Sequence, residues 1–154
     1  MTYALGKMNR FQVRRASVDD LPQLRTLWQM ENLPEAEFEK RFTEFQVALD
    51  AQGVILATVG VQMLAGQGKI YGEAIGQFDL ADELRAVCWP RLETLARNQG
   101  LSRRWTTQEA VFWRGLGFKK ATDQNLAEMP AGFSEENAPA VGGKVLVYRS
   151  LPPT

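Results

Sequence analysis

Ala110-Val111-Phe112-Trp113-Arg114-Gly115-Leu116-Gly117-Phe118 passes from a helical to an extended pattern across a single glycine. Phe112 and Leu116, four apart, give a short helix one apolar stripe. Gly117 stands where a left-handed cap closes such a helix, and Phe118 opens the extended segment. The pattern predicts a positive φ at Gly117, with Leu116 and Phe118 in the core. A capped helix running into a strand needs no function, so the neighbouring elements have to say whether these residues mean more.

Upstream, Thr106 and Glu109 have the spacing of a capping box for this helix, and Leu101 to Trp105 reads as a short strand. Before that, Leu80 to Gln99 is helical in character, with Leu84, Cys88, Leu92 and Leu95 roughly along one face and Gly100 closing it. Pro90 inside the pattern predicts a kink or two helical pieces. Three extended runs precede it, Glu44 to Leu49, Val54 to Leu64 and Lys69 to Gln77. The turns between them, 50–53 and 65–68, both end in glycine, which is the pattern of an antiparallel meander. At the start, 1–9 reads as a loose arm and Phe11 to Ala16 as a strand. Ser17, Asp19 and Asp20 then supply helix-start chemistry for Leu21, Leu24, Leu27 and Trp28. Asn32-Leu33-Pro34 breaks that helix, and Glu35 to Phe42 begins another. Downstream, Phe118 to Thr122 and Lys144 to Leu151 read as strands around a Pro- and Gly-containing loop, 123–143.

Composition narrows the functions. With 154 residues, 45% of them hydrophobic and 23% charged, the chain suits one compact domain, expected over 1–154. Eighteen basic residues balance eighteen acidic ones and gather no further than pairs such as Arg14-Arg15, so no nucleic-acid partner is expected. There is no histidine, which removes the Ser-His-Asp and Cys-His arrangements and the usual zinc sites. The single Cys88, between Val87 and Trp89, reads as a small core residue, and no metal is expected. The longest apolar run, Val54 to Leu64, is broken by Thr58 and Gln62 and is too short for a membrane span. Lys7 and Arg10 precede no apolar export segment, so a cytoplasmic protein is expected.

The order strand, helix, helix, three strands, helix, strand, helix, strand, strand, together with the 110–118 run, resembles the GNAT acyltransferases over essentially the whole chain. In that family a helix carrying an aromatic residue is followed, after three residues, by Gly-Phe and a strand; the aromatic here is Trp113, where the family usually has tyrosine. The resemblance implies an α+β fold, a mixed and mostly antiparallel sheet of six or seven strands flanked by about four helices. It also implies transfer of an acetyl group from acetyl-CoA to a small amine or peptide amine.

The resemblance further implies that acyl-CoA lies at the splayed ends of the fourth and fifth strands. Its pyrophosphate would be held by backbone amides at the start of the next helix, where unpaired N–H groups and the helix dipole favour an anion. The family's basic or glutamine residue and two glycines one residue apart correspond here to Asp82-Glu83-Leu84-Arg85-Ala86, with Glu83 and Arg85 in the glycine positions. Asp79, Asp82 and Glu83 are expected to cap that helix, which leaves Arg85, and Arg91 second, as positive charge for a diphosphate. Carried over position by position, the residues expected against acetyl-CoA are Ile75, Gln77, Leu84, Arg85, Ala86, Thr106 and Trp113, with Gly76 at the bulge that splays the strands.

The family's tyrosine protonates the departing thiolate, and an indole cannot do so. Glu73, on the fourth strand, is the candidate catalytic base, since a half-buried strand acid has reason to hold its proton more tightly; a paired or solvated glutamate is the other reading. Substrate is expected over 30–34 and under 123–143, near Trp28, Met30, Leu33, Met129, Pro130 and Phe133, with Glu31 and Glu128 available to an amine. Two functions stay open: a GNAT-type N-acyltransferase, and a catalytically degenerate GNAT-like binding or interaction module that does not use acetyl-CoA. A homodimer built by exchange of the C-terminal strand is compatible with both.

Overall fold

The computed structural model describes residues 10–106, 111–130 and 146–149. In chain order the elements are β1 (Gln12–Arg15), α1 (Leu21–Met30), α2 (Glu35–Lys40), β2 (Phe45–Leu49), β3 (Ile55–Leu64), β4 (Gln67–Ile75), α3 (Ala81–Asn98), β5 (Arg103–Thr106), α4 (Val111–Gly115), β6 (Lys119–Lys120), α5 (Asp123–Ala127) and β7 (Leu146–Arg149). Short 3-10 turns at Val18–Asp20, Phe42–Glu44 and Phe78–Leu80 lead into α1, β2 and α3. The seven strands are hydrogen-bonded in the order β1-β2-β3-β4-β5-β7-β6. β4 and β5 pair in parallel, Gln67 opposite Arg103 and Ile70 opposite Thr106, whereas β1–β2, β2–β3, β5–β7 and β6–β7 are antiparallel. The α+β class and the seven-strand, mostly antiparallel sheet match the expectation.

Some boundaries differ. β3 and β4 are joined by Ala65-Gly66 alone, both at positive φ as a tight primed hairpin turn requires, so Gln67 and Gly68 belong to β4 and not to a four-residue turn. α3 is one helix of 18 residues through Pro90 and not two pieces. Proline removes the amide that would bond the carbonyl of Ala86, an exposed residue. α5 turns part of the expected 123–143 loop into helix, with the Thr122 hydroxyl accepting from Asn125 N–H at 3.1 Å and the Asn125 side chain accepting from Thr122 N–H. The expected arm 1–9, the cap residue Glu109 and loop residues 131–143 lie outside the described residues. No helix among the described residues is long and apolar enough to cross a membrane.

The chain groups into two compact units: the described residues of Met1–Gly60 and Gly72–Thr94 form one, those of Val61–Tyr71 and Leu95–Thr154 the other. In the first, Trp28 of α1, Phe38 of α2 and Phe45 of β2 meet at ring-centroid distances of 5.0 to 5.5 Å. Leu24, Val47 and Leu84 are fully buried in the same unit. Truncating an aromatic in such a cluster costs about 3–5 kcal/mol. In the second unit Trp105 packs with Ala121 and Met129, and Trp113 meets Phe118 edge-on at 5.5 Å.

Candidate functional site

Glu73 is near the end of β4, followed by Ala74 and Ile75; the chain then turns through Gln77 and the 3-10 turn Phe78–Leu80 into α3. The backbone just before Glu73 is unusual. Gly72 has φ 65, inside a strand. A Cβ there would lie 2.7 Å and 2.8 Å from the Phe45 ring and 2.9 Å from that of Phe38, so only glycine fits. The kink is held by a buried chain of hydrogen bonds: the Trp28 indole N–H donates to the Thr58 hydroxyl at 3.3 Å, which donates to the Gly72 carbonyl at 3.0 Å. A left-handed φ within a strand is open to glycine and strained for other residues. The glycine expected at the bulge, Gly76, comes directly after β4. Gly76 makes a regular bond, its N–H to the Leu56 carbonyl at 2.7 Å, and serves close packing, with Leu27 and Leu56 within 3.3 Å of where a Cβ would be.

The candidate base and the candidate cation meet each other. Arg85 donates from Nε to both Glu73 oxygens at 3.1 Å and from Nη2 to Oε1 at 2.8 Å, while Nη1 donates to Asp82 Oδ1 at 3.1 Å. The Glu73 and Arg85 side chains are 6% and 13% exposed, that of Asp82 83%. The hydrogen bond to Glu73, more than burial, decides that the Arg85 pKa is raised, so the guanidinium stays charged. Glu73 is therefore the paired glutamate of the two readings. This pair was not legible from spacing, because twelve residues and a turn separate its members.

The expected capping acids gather at the start of α3, where Asp82 accepts from Arg85 and Glu83 pairs with Arg10 at 3.2 Å. The second expected cation, Arg91, donates from Nε to the Gln46 side chain at 2.9 Å. Leu84 is fully buried and Ala86 exposed; Ile75 is half-buried and Gln77 exposed. Cys88, one turn beyond Arg85, has its thiol pushed up to about 12, by burial first and by Glu73 second, and is the core residue expected.

The remaining expected residues belong to the second unit. Thr106, at the end of β5, is fully buried, and so is Trp113 of α4. Gly117 has φ 109 and Phe118 is buried, as expected, while Leu116 is half-buried and not core. Glu128, expected near an amine, pairs with Arg103 at 3.3 Å, and its carbonyl accepts from Gln67 Nε2. The Gln67 side-chain Oε1 accepts from the Trp105 indole N–H at 2.7 Å. In the first unit Trp28 is core and not a substrate-facing residue, while Met30 and Glu31 are exposed. Phe133 lies outside the described residues.

No protein-family model matches the sequence, and no curated protein matches it. Solved structures do. Rv2747 from Mycobacterium tuberculosis, solved with CoA and a second ligand, superposes with a TM-score of 0.72 at 20% identity, over 91% of this chain and 99% of that one. An acetyltransferase of the GNAT family from Staphylococcus aureus Mu50 gives 0.69 at 9% identity, over 90% and 98%. N-acetylglutamate synthase from Neisseria gonorrhoeae, complexed with coenzyme A and N-acetyl-glutamate, gives 0.66 at 19% identity, over 90% of this chain and 35% of that longer one. The β-α-α-β-β-β-α-β-α-β series, the parallel β4–β5 pair and these superpositions agree that this chain has the fold of the GNAT acetyltransferases.

Proposed function

We propose that the chain is a GNAT-type N-acyltransferase that takes an acyl group from a CoA thioester and gives it to a small amine or peptide amine by direct transfer. The observation that carries this reading is the β4, 3-10 turn, α3 corner, present in a chain that follows structures solved with CoA over about nine-tenths of its length. In direct transfer the amine nitrogen bonds to the thioester carbon, the C–S bond breaks, and the sulfur leaves as thiolate. The amine proton passes to water or to that thiolate. Placement alone supplies much of such a rate. A phosphate at this corner would take Arg85 Nη1 from Asp82, while Glu73, held by Arg85, and Trp113, an indole, add little acid–base help, so turnover is expected to be slow. We further infer one domain over 1–154 and a cytoplasmic setting, in keeping with the single cysteine.

A second reading is favoured by the same network. Glu83 and Arg85, in the family's glycine positions, are tied to Arg10 and Glu73, which suits a binding module that does not use acetyl-CoA. Calorimetric titration with acetyl-CoA, alongside a free-thiol assay with an amine panel, separates the two. Micromolar binding that is lost in Arg85→Ala, with thiol released, supports the acyltransferase. Absence of binding, both in the wild type and in a triple variant Asp82→Gln, Glu83→Gly, Arg85→Gly, leaves the module.

A further inference from the structure

The guanidinium of Arg85 has two unlike sides. Nε and Nη2 face a carboxylate with a 6% exposed side chain, whereas Nη1 faces one that is 83% exposed. The inner pair is a three-contact fork at 2.8 to 3.1 Å, and losing either partner would strand a buried charge. The outer contact is a single bond at 3.1 Å between residues three apart on a helix, the class of ion pair whose net worth is small. So the inner contact is fixed and the outer one is exchangeable.

We propose that Asp82 is a built-in competitor for a phosphate-bearing ligand on Arg85, and that Glu73 is the positioning residue which holds the guanidinium for either of them. The inference rests on the acyltransferase reading only for the identity of the ligand, a CoA diphosphate. Its own chemistry requires no more than a phosphate oxygen in place of Asp82 Oδ1. A phosphate oxygen offers Nη1 the same charge-assisted acceptor as the carboxylate it replaces, with more negative charge behind it. Glu73 then acts through Arg85.

The test is titration of the full chain with inorganic pyrophosphate and, separately, with CoA. Asp82→Ala removes only the outer contact, at an exposed position that leaves folding intact, and is expected to tighten both ligands about threefold. Arg85→Lys, which loses the fork, is expected to weaken both by more than about tenfold. Glu73→Gln is expected to weaken both as well, an affinity loss that a catalytic base would not produce. If Asp82→Ala leaves wild-type CoA affinity unchanged, the competitor is disproved while the acyltransferase reading stands. Pyrophosphate responses as described with no CoA binding would keep the inference and remove that reading. No binding of either ligand by any variant overturns both, and a Glu73→Gln protein with unchanged affinity and lowered turnover returns Glu73 to the role of base.

Discussion

Gly72 and Gly117 show how far one residue's backbone reaches. At Gly72 two penalties add for any other residue: the left-handed φ of 65, about 1–2 kcal/mol, and the overlap of a Cβ with Phe45 and Phe38, about 1–3 kcal/mol. Gly72→Ala is therefore expected to cost about 3 kcal/mol in denaturant unfolding. A cost under about 1 kcal/mol would mean that β4 relaxes without the kink, and with it the placement of the adjacent Glu73. Gly117 stands at φ 109, and that conformational penalty alone predicts that Gly117→Val costs about 1 kcal/mol or more by the same measurement. The sequence made the second glycine legible because a helix pattern stops at it. Gly72 carries no such local signal, because the groups that require a glycine there come from α2 and β2.

Helix ends are where single residues become elements. After Trp113, the Phe118 N–H bonds back to the Trp113 carbonyl at 3.2 Å and the Gly117 N–H to the Arg114 carbonyl at 3.1 Å, a Schellman ending whose usual apolar contact is the Trp113–Phe118 ring pair. The aromatic, three residues, Gly-Phe signature is thus a cap with its hydrophobic clasp, which explains why a tryptophan serves the fold as well as a tyrosine. α1 and α3 end the same way, with Asn32 and Gly100 at positive φ. At the other end of α1, Asp20 accepts from the Ser17 amide at 2.7 Å and forks with Arg14 at 2.7 and 2.9 Å, and the Arg14 bond first of all holds its carboxyl below the usual carboxylate range. A depressed folded pKa means stability present above the unfolded value, about 3.9, and lost as pH falls through the folded one. Asp20→Asn is expected to lower stability by about 1–3 kcal/mol at neutral pH. The gap from wild type should close as melting is followed below about pH 4; a gap constant down to pH 2 would show that the charge on Asp20 is not what matters.

Across the whole molecule, element order and the β4–α3 corner were legible because hydrophobic period, turns and caps are local. What was not legible was pairing at a distance: Glu73 with Arg85, Glu83 with Arg10, Arg91 with Gln46, Glu128 with Arg103. Each is an ionic or polar choice that a pattern permits and only the fold decides. The remaining question at this scale is cooperativity. β3 spans Ile55–Leu64 and β4 spans Gln67–Ile75, so both strands contribute residues to each compact unit, and neither unit keeps its strands whole if the other melts. The expected outcome is one unfolding transition, as for most chains of this size. Trp28 reports on the first unit and Trp105 on the second, both fully buried. With the other tryptophans replaced by phenylalanine, urea titrations of the two single-tryptophan proteins should each show as large a change in emission as burial implies. Their midpoints, referred to each variant's own far-ultraviolet transition, should coincide. Midpoints separated by more than about 0.5 M, a difference of roughly 1 kcal/mol at ordinary urea dependence, would show two independently melting units and end the one-domain reading.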